Sequence, residues 1–284
     1  MKRRICYVEI STPSGVKQIK NIALSGTVKR RMGSVAAEAK VSIANLAKDD
    51  IEYLSTYMSS YVEPAKQKKI NIYAGYEDTG YGMIFSGDII QAIPEGHTDV
   101  WLKIDAKTNY FNRQNIITYS TTSPVTSFQM AQNIANELDV PLSWKSKSKK
   151  LIDSFNFAGA KAKLIDELNK YGDFTAFLDN GMLRVVDKDE VPNNQSGSGS
   201  TEGDIKLINI HSGLIGFPMS TEYGAKFKVL LDPTLNPSDW VKLESEKFPA
   251  INDYYQIYDL TFDFSSYDQN FYCEIQGKNY KRNK

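Results

Sequence analysis

The chain has 284 residues, and its 34 lysines and arginines balance 34 aspartates and glutamates, so the formal net charge is zero. This balance argues against a dedicated nucleic-acid binder, which would carry a clear basic excess. Hydrophobic residues make up 41% and aromatic residues 12%, which is enough apolar material for packed cores and excludes a wholly disordered chain. At about 150 residues per domain, the length favours two domains, with room for a small third.

Membrane segments and disulfide scaffolds are not expected. The mean hydropathy is −0.41, and no apolar run approaches the roughly 18 residues of a membrane-spanning helix. Residues 1–4 are basic, but Glu9 interrupts the apolar residues that follow, so we expect no signal peptide. Cys6 and Cys273 are too few for a disulfide framework or a structural zinc site. They favour synthesis in a reducing cytosol, and the sequence does not decide whether they form a disulfide with each other.

Residues 1–108 are predicted to form a first β unit. Apolar and polar residues alternate at 40–43 and 100–105, the period of a half-buried strand. Within 71–88, two apolar runs flank a turn rich in glycine, which predicts a hairpin. A short helix is predicted over 49–58, where two aspartates precede apolar residues at helical spacing.

Residues 109–190 have an α+β pattern. Apolar residues recur at three- and four-residue intervals over 123–138, which predicts an amphipathic helix. A second helix is predicted over 160–171, with Gly172 as its C-terminal cap. Asn180-Gly181 between two apolar runs predicts a hairpin with a type I′ turn.

The remaining chain predicts a linker and a second β unit. Residues 191–204 are rich in glycine, serine and asparagine, as expected for a flexible linker or long loop. Alternation at 260–265 and further apolar runs predict strands throughout 205–284. The fold class is therefore mainly β with an α+β insertion: two β units and a small helix–helix–hairpin domain.

Candidate catalytic groups are sparse. His97 lies in a polar turn and His211 follows a strand, and neither has a second histidine or a cysteine at metal-ligand spacing. The carboxylates at 49–50 and 187–190 fit solvated helix-start and loop positions better than a glycosidase pair. The glycine-rich stretch 196–203 lacks the Gly-Lys-Ser/Thr of a phosphate loop. We therefore expect no catalytic residues, no metal and no cofactor.

Two surface features carry more information. The basic run 145–150 fits a solvated loop, and contact with phosphate or with an acidic partner is the alternative. The 17 tyrosines exceed what two small β cores usually bury. Tyrosine is enriched at protein interfaces because it offers a large area and a polar tip, and stacking on carbohydrate is the competing use.

Several segments, taken in order, resemble a known family. They are 33–55, 84–89 (Ile-Phe-Ser-Gly-Asp-Ile), 158–172 and 213–218 (Gly-Leu-Ile-Gly-Phe-Pro), followed by 229–237 and 241–243. Together they resemble the baseplate hub proteins of tailed phages, the group that includes late control protein D and hubs of contractile injection systems. The likeness covers nearly the whole chain and is structural rather than catalytic.

One departure from the family's pattern concerns a single turn. Residues 237–239 read Pro-Ser-Asp, where the family pattern leads us to expect a glycine. The departure bears on the shape of that loop alone, so it does not alter the expected fold.

The resemblance implies a fold and an assembly. It implies two tail-tube-like β-barrels, at 1–108 and 205–284, with the α+β insertion at 109–190 and the linker at 191–204. Three copies would form a homotrimeric, pseudo-sixfold ring that joins the hexameric tail tube to the trimeric spike and surrounds the DNA channel. We expect the interface to include five residues: Tyr76, Tyr81, Leu214, Ile215 and Phe217.

The implied partners are a second and third copy, the tail tube protein, the spike, other baseplate proteins and the tape-measure protein. DNA would only pass through, and no membrane insertion is expected. The location would be the tail baseplate of the virion, after synthesis in the host cytoplasm. The alternative function is a receptor- or carbohydrate-binding tail module, and a cell-wall hydrolase is a third class.

Overall fold

A computed structural model describes residues 3–12, 15–55, 67–121, 123–188 and 205–279. The described helices are α1 (Lys48–Leu54), α2 (Tyr110–Gln114), α3 (Ser127–Glu137) and α4 (Lys163–Leu168), with a 3-10 turn at Pro249–Ile251. The strands before residue 108 are β1 (Arg4–Thr12), β2 (Gly15–Ile19), β3 (Leu24–Arg31), β4 (Glu38–Ala44), β5 (Lys69–Tyr76), β6 (Gly80–Glu95) and β7 (Trp101–Lys107).

Strands also dominate the rest of the described chain, so the fold is mainly β as predicted. The middle segment holds β8 (Ile116–Thr121), β9 (Val125–Thr126), β10 (Leu142–Trp144), β11 (Leu151–Ile152), β12 (Phe155–Ala160), β13 (Phe174–Asp179) and β14 (Met182–Asp187). The last segment holds β15 (Lys206–Ile208), β16 (Leu214–Ser220), β17 (Gly224–Leu230), β18 (Trp240–Leu243), β19 (Asp253–Ser265) and β20 (Phe271–Lys278).

Strands from both ends of the chain form one sheet of 13 strands. Its order is β16-β17-β20-β19-β3-β4-β7-β6-β5-β1-β2, with β18 and β15 attached beside β19. The two halves meet where β3 pairs antiparallel with β19, from Arg31 opposite Asp259 to Ser25 opposite Ser265. Within the described residues the sheet does not close into a barrel, because β3 and β19 join the two halves instead of closing each half separately.

One hydrophobic core lies under both halves of this sheet and includes Val28, Ile104, Phe262 and Ile275. It forms because the strands alternate as the sequence predicts, with one row of side chains buried and the next exposed. The predicted hairpin over 71–88 is present as β5 and β6. The predicted helix over 49–58 is present but shorter: α1 ends at Leu54, because Ser55 has a non-helical ψ of 138°. The predicted linker lies outside the described residues.

The middle segment has its own core, which includes Met130, Ile134, Leu164 and Phe174. Helix α3 begins at a capping box, in which the Thr126 hydroxyl accepts from Gln129 N and the Gln129 side chain reaches back to Thr126 N. The predicted hairpin is confirmed as β13 and β14.

The second predicted helix is shorter than expected. It was predicted over 160–171 but occupies Lys163–Leu168 as α4. The reason is tertiary: Ala160 is the last residue of β12, which pairs with β8 so that Ala160 lies opposite Ile116. The helix therefore starts after that ladder ends.

Both cysteines are free. Cys6 lies on β1 and is partly buried, whereas Cys273 lies on β20 and is fully buried. The disulfide between them that the sequence left open is therefore absent.

Candidate assembly surface

Eight strands of the large sheet repeat one four-strand pattern, and we call these eight strands the repeat layer. The first half packs in the order β3-β4-β7-β6 and the second in the order β16-β17-β20-β19. When the four strands of each set are numbered along the chain, they lie side by side in the order first, second, fourth, third. The third strand of each set of four also carries a one-residue bulge where it pairs with the fourth strand, at Ile90 in β6 and at Tyr258 in β19. The two halves are successive units arranged head to tail.

The head-to-tail order joins one pair of strands and leaves another pair at the two ends of the layer. The pair that is joined, β19 with β3, forms what we call the internal junction. At the ends, β16 has only β17 as a strand neighbour, and residues 93–95 of β6 have only β7, among the described strands. The repeat layer therefore ends in the same two kinds of strand that meet at its centre.

The registers allow positions in the two units to be matched. Counted across the ladders from the two bulges, Glu95 on β6 corresponds to Asp263 on β19, and Met219 on β16 corresponds to Thr27 on β3. Asp263 and Thr27 lie opposite one another at the internal junction. There the Thr27 hydroxyl donates to Asp263 Oδ1 at 2.7 Å.

Strand β16 differs from β3 by a wide bulge. Ile215 lies opposite Lys228 and Met219 opposite Lys226, so four steps along β16 match two along β17. Gly216 sits in this bulge with a φ of 69°, a backbone conformation that glycine adopts without a Cβ clash.

The bulge projects Phe217 outward, where 60% of its surface is exposed. Its ring packs edge-on against Phe248, with centroids 5.6 Å apart, and Lys247 Nζ lies 5.0 Å from its centroid. An exposed aromatic pair beside an edge strand is the kind of surface that a partner covers.

The five predicted interface residues occupy different environments. Tyr76 belongs to the core: it is 6% exposed and its ring packs edge-on on Phe271 at 5.1 Å. That position leaves it little surface for a partner, since β1 and β6 flank its strand. Tyr81 is 52% exposed, and Leu214 is partly buried against the core. Ile215 and Phe217 are exposed on β16, and whether these residues form an interface remains a prediction.

Sequence reasoning missed two exposed apolar residues at the ends of the repeat layer. Ile93 on β6 is 43% exposed and Met219 on β16 is 57% exposed. Their only sequence signal is an apolar residue at an outward position of an alternating strand. Such residues are common on protein surfaces, so the signal becomes informative only when both strands are known to be edges.

Charged side chains on the polar face of the repeat layer pair with one another. Three ion pairs join neighbouring strands at 2.6–2.7 Å: Arg31 Nε–Asp259 Oδ2, Lys103 Nζ–Glu95 Oε2 and Lys226 Nζ–Glu274 Oε1. Lys40 also lies directly opposite Asp105. A shallow concavity of about 460 Å³ opens on this face beside Thr27, Lys40 and Lys103. The face is therefore polar and largely self-neutralised.

The candidate catalytic groups do not come together. His97 and His211 are exposed in separate turns. Asp50 pairs with Lys17 at 2.5 Å, and Asp187 accepts from Ser146, while residues 189 and 190 lie outside the described ranges. No three His, Cys, Asp or Glu side chains of the described chain could hold a metal ion. None of the described helices has both the length and the apolarity needed to cross a membrane.

Sequence reasoning also missed a buried charge cluster. Arg30 is fully buried and donates to both carboxylate oxygens of Asp179. Arg184 Nε lies 3.0 Å from Asp179 Oδ2. The run 29–31 is basic throughout and reads as a solvated strand end, so only the structure distinguishes Arg30 from its neighbours.

Comparisons with solved structures show that the fold is shared. The 43 kDa tail protein of prophage MuSo2 from Shewanella oneidensis matches with a TM-score of 0.62 and 8% identity, over 96% of this chain and 97% of that one. A tail protein from Neisseria meningitidis MC58 matches with a TM-score of 0.60 and 9% identity, over 97% of each chain. The E. coli c3393 protein, a component of the type VI secretion system, matches with a TM-score of 0.57 and 10% identity, over 91% of this chain and 74% of that one.

No curated protein matches the sequence closely enough to compare. The model of one protein family, described as baseplate hub gp41, matches residues 5–277, which is nearly the whole chain. The chain therefore belongs to the baseplate hub gp41 family.

Proposed function

We propose that this chain is the structural hub of a phage tail baseplate and that three copies form a head-to-tail ring. Family membership supports the hub role. The main observation in favour of the ring is the tandem repeat, because it makes the open edges of β6 (residues 93–95) and β16 equivalent to the joined edges of β19 and β3.

In the ring, the end of β6 in one copy pairs with β16 of the next copy, as β19 pairs with β3 inside each copy. Head-to-tail contacts of this kind close into a ring when the rotation per step divides a full turn. The pairing would satisfy backbone groups of two edge strands and cover the exposed Ile93 and Met219. It would also join the two tube-like units, 1–108 and 205–284, of all three copies into one ring of strands that closes around the axis.

Two units per copy and three copies give six similar units around the ring axis. One face of such a ring suits the hexameric tail tube, and the departures from sixfold symmetry, such as the Gly216–Phe217 bulge, suit the trimeric spike. The insertion at 109–190, the linker at 191–204 and the outer surface remain for other baseplate proteins and the tape-measure protein. The expected location is the tail baseplate of the virion.

The polar face of the repeat layer would line the DNA channel. Proteins hold DNA by neutralising phosphates with lysine and arginine and releasing counterions. On this face carboxylates already pair with Arg31, Lys103 and Lys226. DNA would therefore pass without being held. The role is structural and needs no catalytic residue or cofactor.

One observation favours the alternative, a carbohydrate- or receptor-binding module. Tyr7 stacks on Tyr73 with centroids 4.6 Å apart, and Tyr81 packs edge-on on Tyr7. Aromatic rings of this kind also bind sugars. Glycan binding that is lost in Tyr81→Ala, with the ring intact, would favour this function, whereas a cleared zone in zymography would point to a hydrolase.

Light scattering coupled to size exclusion tests the ring directly. The proposal expects a particle of about three times 32.0 kDa, and electron microscopy is expected to show six similar units around a channel. A monomer that persists when tube and spike proteins are added would contradict the proposal.

A further inference from the structure

The basic segment 145–150 is hydrogen-bonded to its neighbours in both halves, and its side chains alternate between exposed and more buried from Lys145 to Lys149. It runs between β10 and β11, and its first half is tied to Asp187 of β14. The Ser146 hydroxyl donates to this carboxylate, and the backbone N of Lys147 donates to both its oxygens at 3.1 Å. Ser146 is consequently buried.

The second half of the segment is tied to the start of α3. Ser127 N donates to the carbonyl of Lys150 at 2.9 Å, and the Ser127 hydroxyl donates to the carbonyl of Ser148 at 3.3 Å. With the serines turned toward the protein, the lysines at alternate positions are exposed. The alternation of Lys and Ser in the sequence thus separates an anchoring side from a charged side.

These lysines contrast with those of the polar face of the repeat layer. There the ion pairs neutralise the charges, whereas no carboxylate of the described chain forms an ion pair with Lys145, Lys149 or Lys150. On a chain with zero net charge, this segment is a local concentration of positive charge.

An apolar flank borders the same segment. Phe128 is 45% exposed and packs edge-on on Trp144 with centroids 5.5 Å apart. Leu151, at the other end, is 62% exposed. We call the exposed Lys145, Lys147, Lys149 and Lys150, together with Phe128 and Leu151, the basic stripe.

We propose that the basic stripe binds an extended, acidic polypeptide segment of another protein. Residues at alternate positions of an extended chain repeat every 6.6 Å or so, so alternating carboxylates of a second extended chain match alternating lysines. Apolar side chains at the two ends of that segment would cover Phe128 and Leu151. Duplex DNA fits less well, because its backbone would leave this flank exposed and strong binding needs more phosphate contacts than one short segment offers. The proposal is independent of the ring.

The test uses the full chain and a short fluorescein-labelled peptide in which glutamate alternates with threonine between two terminal leucines. Fluorescence anisotropy measures its affinity, and Trp144 beside the stripe gives a second signal. We expect binding that weakens with salt and falls about tenfold in the triple variant Lys145→Gln, Lys149→Gln, Lys150→Gln, given the modest strength of each exposed ion pair. Phe128→Ser should weaken binding while leaving the salt dependence unchanged.

The matched control is Lys20→Gln, Lys48→Gln, Lys163→Gln, which removes the same charge from exposed sites elsewhere. It should bind like the parent protein. Equal loss in both triple variants, or no peptide binding at all, would overturn the proposal. So would a duplex DNA that binds through the stripe while the acidic peptide does not.

Discussion

Arg30 and Asp179 form a fully buried bidentate ion pair that joins the first β half to the middle segment. Arg30 Nε donates to Asp179 Oδ1 and Arg30 Nη2 to Asp179 Oδ2, both at 2.7 Å, and the two side chains are 0% and 1% exposed. Arg30 also donates to Asn236 Oδ1 at 2.8 Å, in the loop between β17 and β18. Three parts of the chain therefore meet at one guanidinium.

Removing one partner of this pair should be strongly destabilising. In Asp179→Asn, Arg30 keeps its buried charge and loses its counterion, which costs about 3 kcal/mol of unfolding free energy. Urea denaturation measures the change. Asp49→Asn, at an exposed helix start, is the control and should change stability little. The double variant Arg30→Met, Asp179→Leu should recover part of the loss, because it removes the buried Arg30 charge but still leaves Arg184 without its carboxylate. A change below about 1 kcal/mol in Asp179→Asn would contradict the account.

The internal junction depends on a glycine. A Cβ at Gly26 would lie 2.5 Å from the Lys40 carbonyl oxygen and 2.8 Å from the Phe264 ring, which packs across the β3–β19 ladder. Gly26→Ala should therefore cost about 2 kcal/mol through overpacking. Gly82→Ala is the control, because its Cβ would meet only Pro233 at an ordinary 3.4 Å. Equal thermal midpoints for the two variants would argue against close packing at the junction.

The turn at 237–239 should tolerate the glycine expected from the family's pattern. Ser238 has a φ of 80°, a conformation that strains any residue with a Cβ. Ser238→Gly should raise the unfolding free energy by about 0.5–1 kcal/mol, since the relief of strain exceeds the entropic cost of glycine. Ser154→Gly, in an exposed loop without a positive φ, should be neutral or slightly destabilising. Destabilisation by Ser238→Gly would show that the turn carries no strain.

The two thiols should be inert in the folded protein. Burial raises the pKa of Cys6 from 9.0 to about 11 and raises the pKa of Cys273 further, so both stay protonated near pH 8. Iodoacetamide followed by mass spectrometry should find no adduct until denaturant is added. Because the folded-state pKa values of both thiols are raised, their contribution to the free energy of unfolding is complete below pH 9. This contribution declines as the pH rises from 9 toward 11. Rapid native labelling at Cys273 would contradict this placement.

Local features of the fold were predictable from the sequence. The Asn180-Gly181 turn dictates a hairpin by its backbone geometry, and both residues have a positive φ. Helix α3 follows from its periodicity, although the Thr126–Gln129 capping box starts it at Ser127, four residues after the predicted start. These signals lie within a few residues of one another, so no tertiary contact overrides them.

Non-local features were not predictable. The pairing of β3 with β19 joins residues more than two hundred positions apart, and no local propensity specifies it. The same holds for the contact between Arg30 and Asp179 and for the burial of Tyr76 under Phe271. Sequence reasoning named Ile215 and Phe217 through family resemblance, but it could not identify β16 as an edge strand, because edge status is a property of the whole sheet.

The most direct test of the proposed junction between copies is a disulfide across it. Glu95 and Met219 correspond to Asp263 and Thr27, which lie opposite one another at the internal junction. Side chains on opposing strands lie about 5 Å apart, within reach of a disulfide. The double variant Glu95→Cys, Met219→Cys should therefore oxidise to covalent trimers on a non-reducing gel, and each single variant should not. Thr27→Cys, Asp263→Cys should form the matching bond within one copy. If this internal bond forms while the first double variant stays monomeric on the gel, the proposed pairing of β6 with β16 is contradicted.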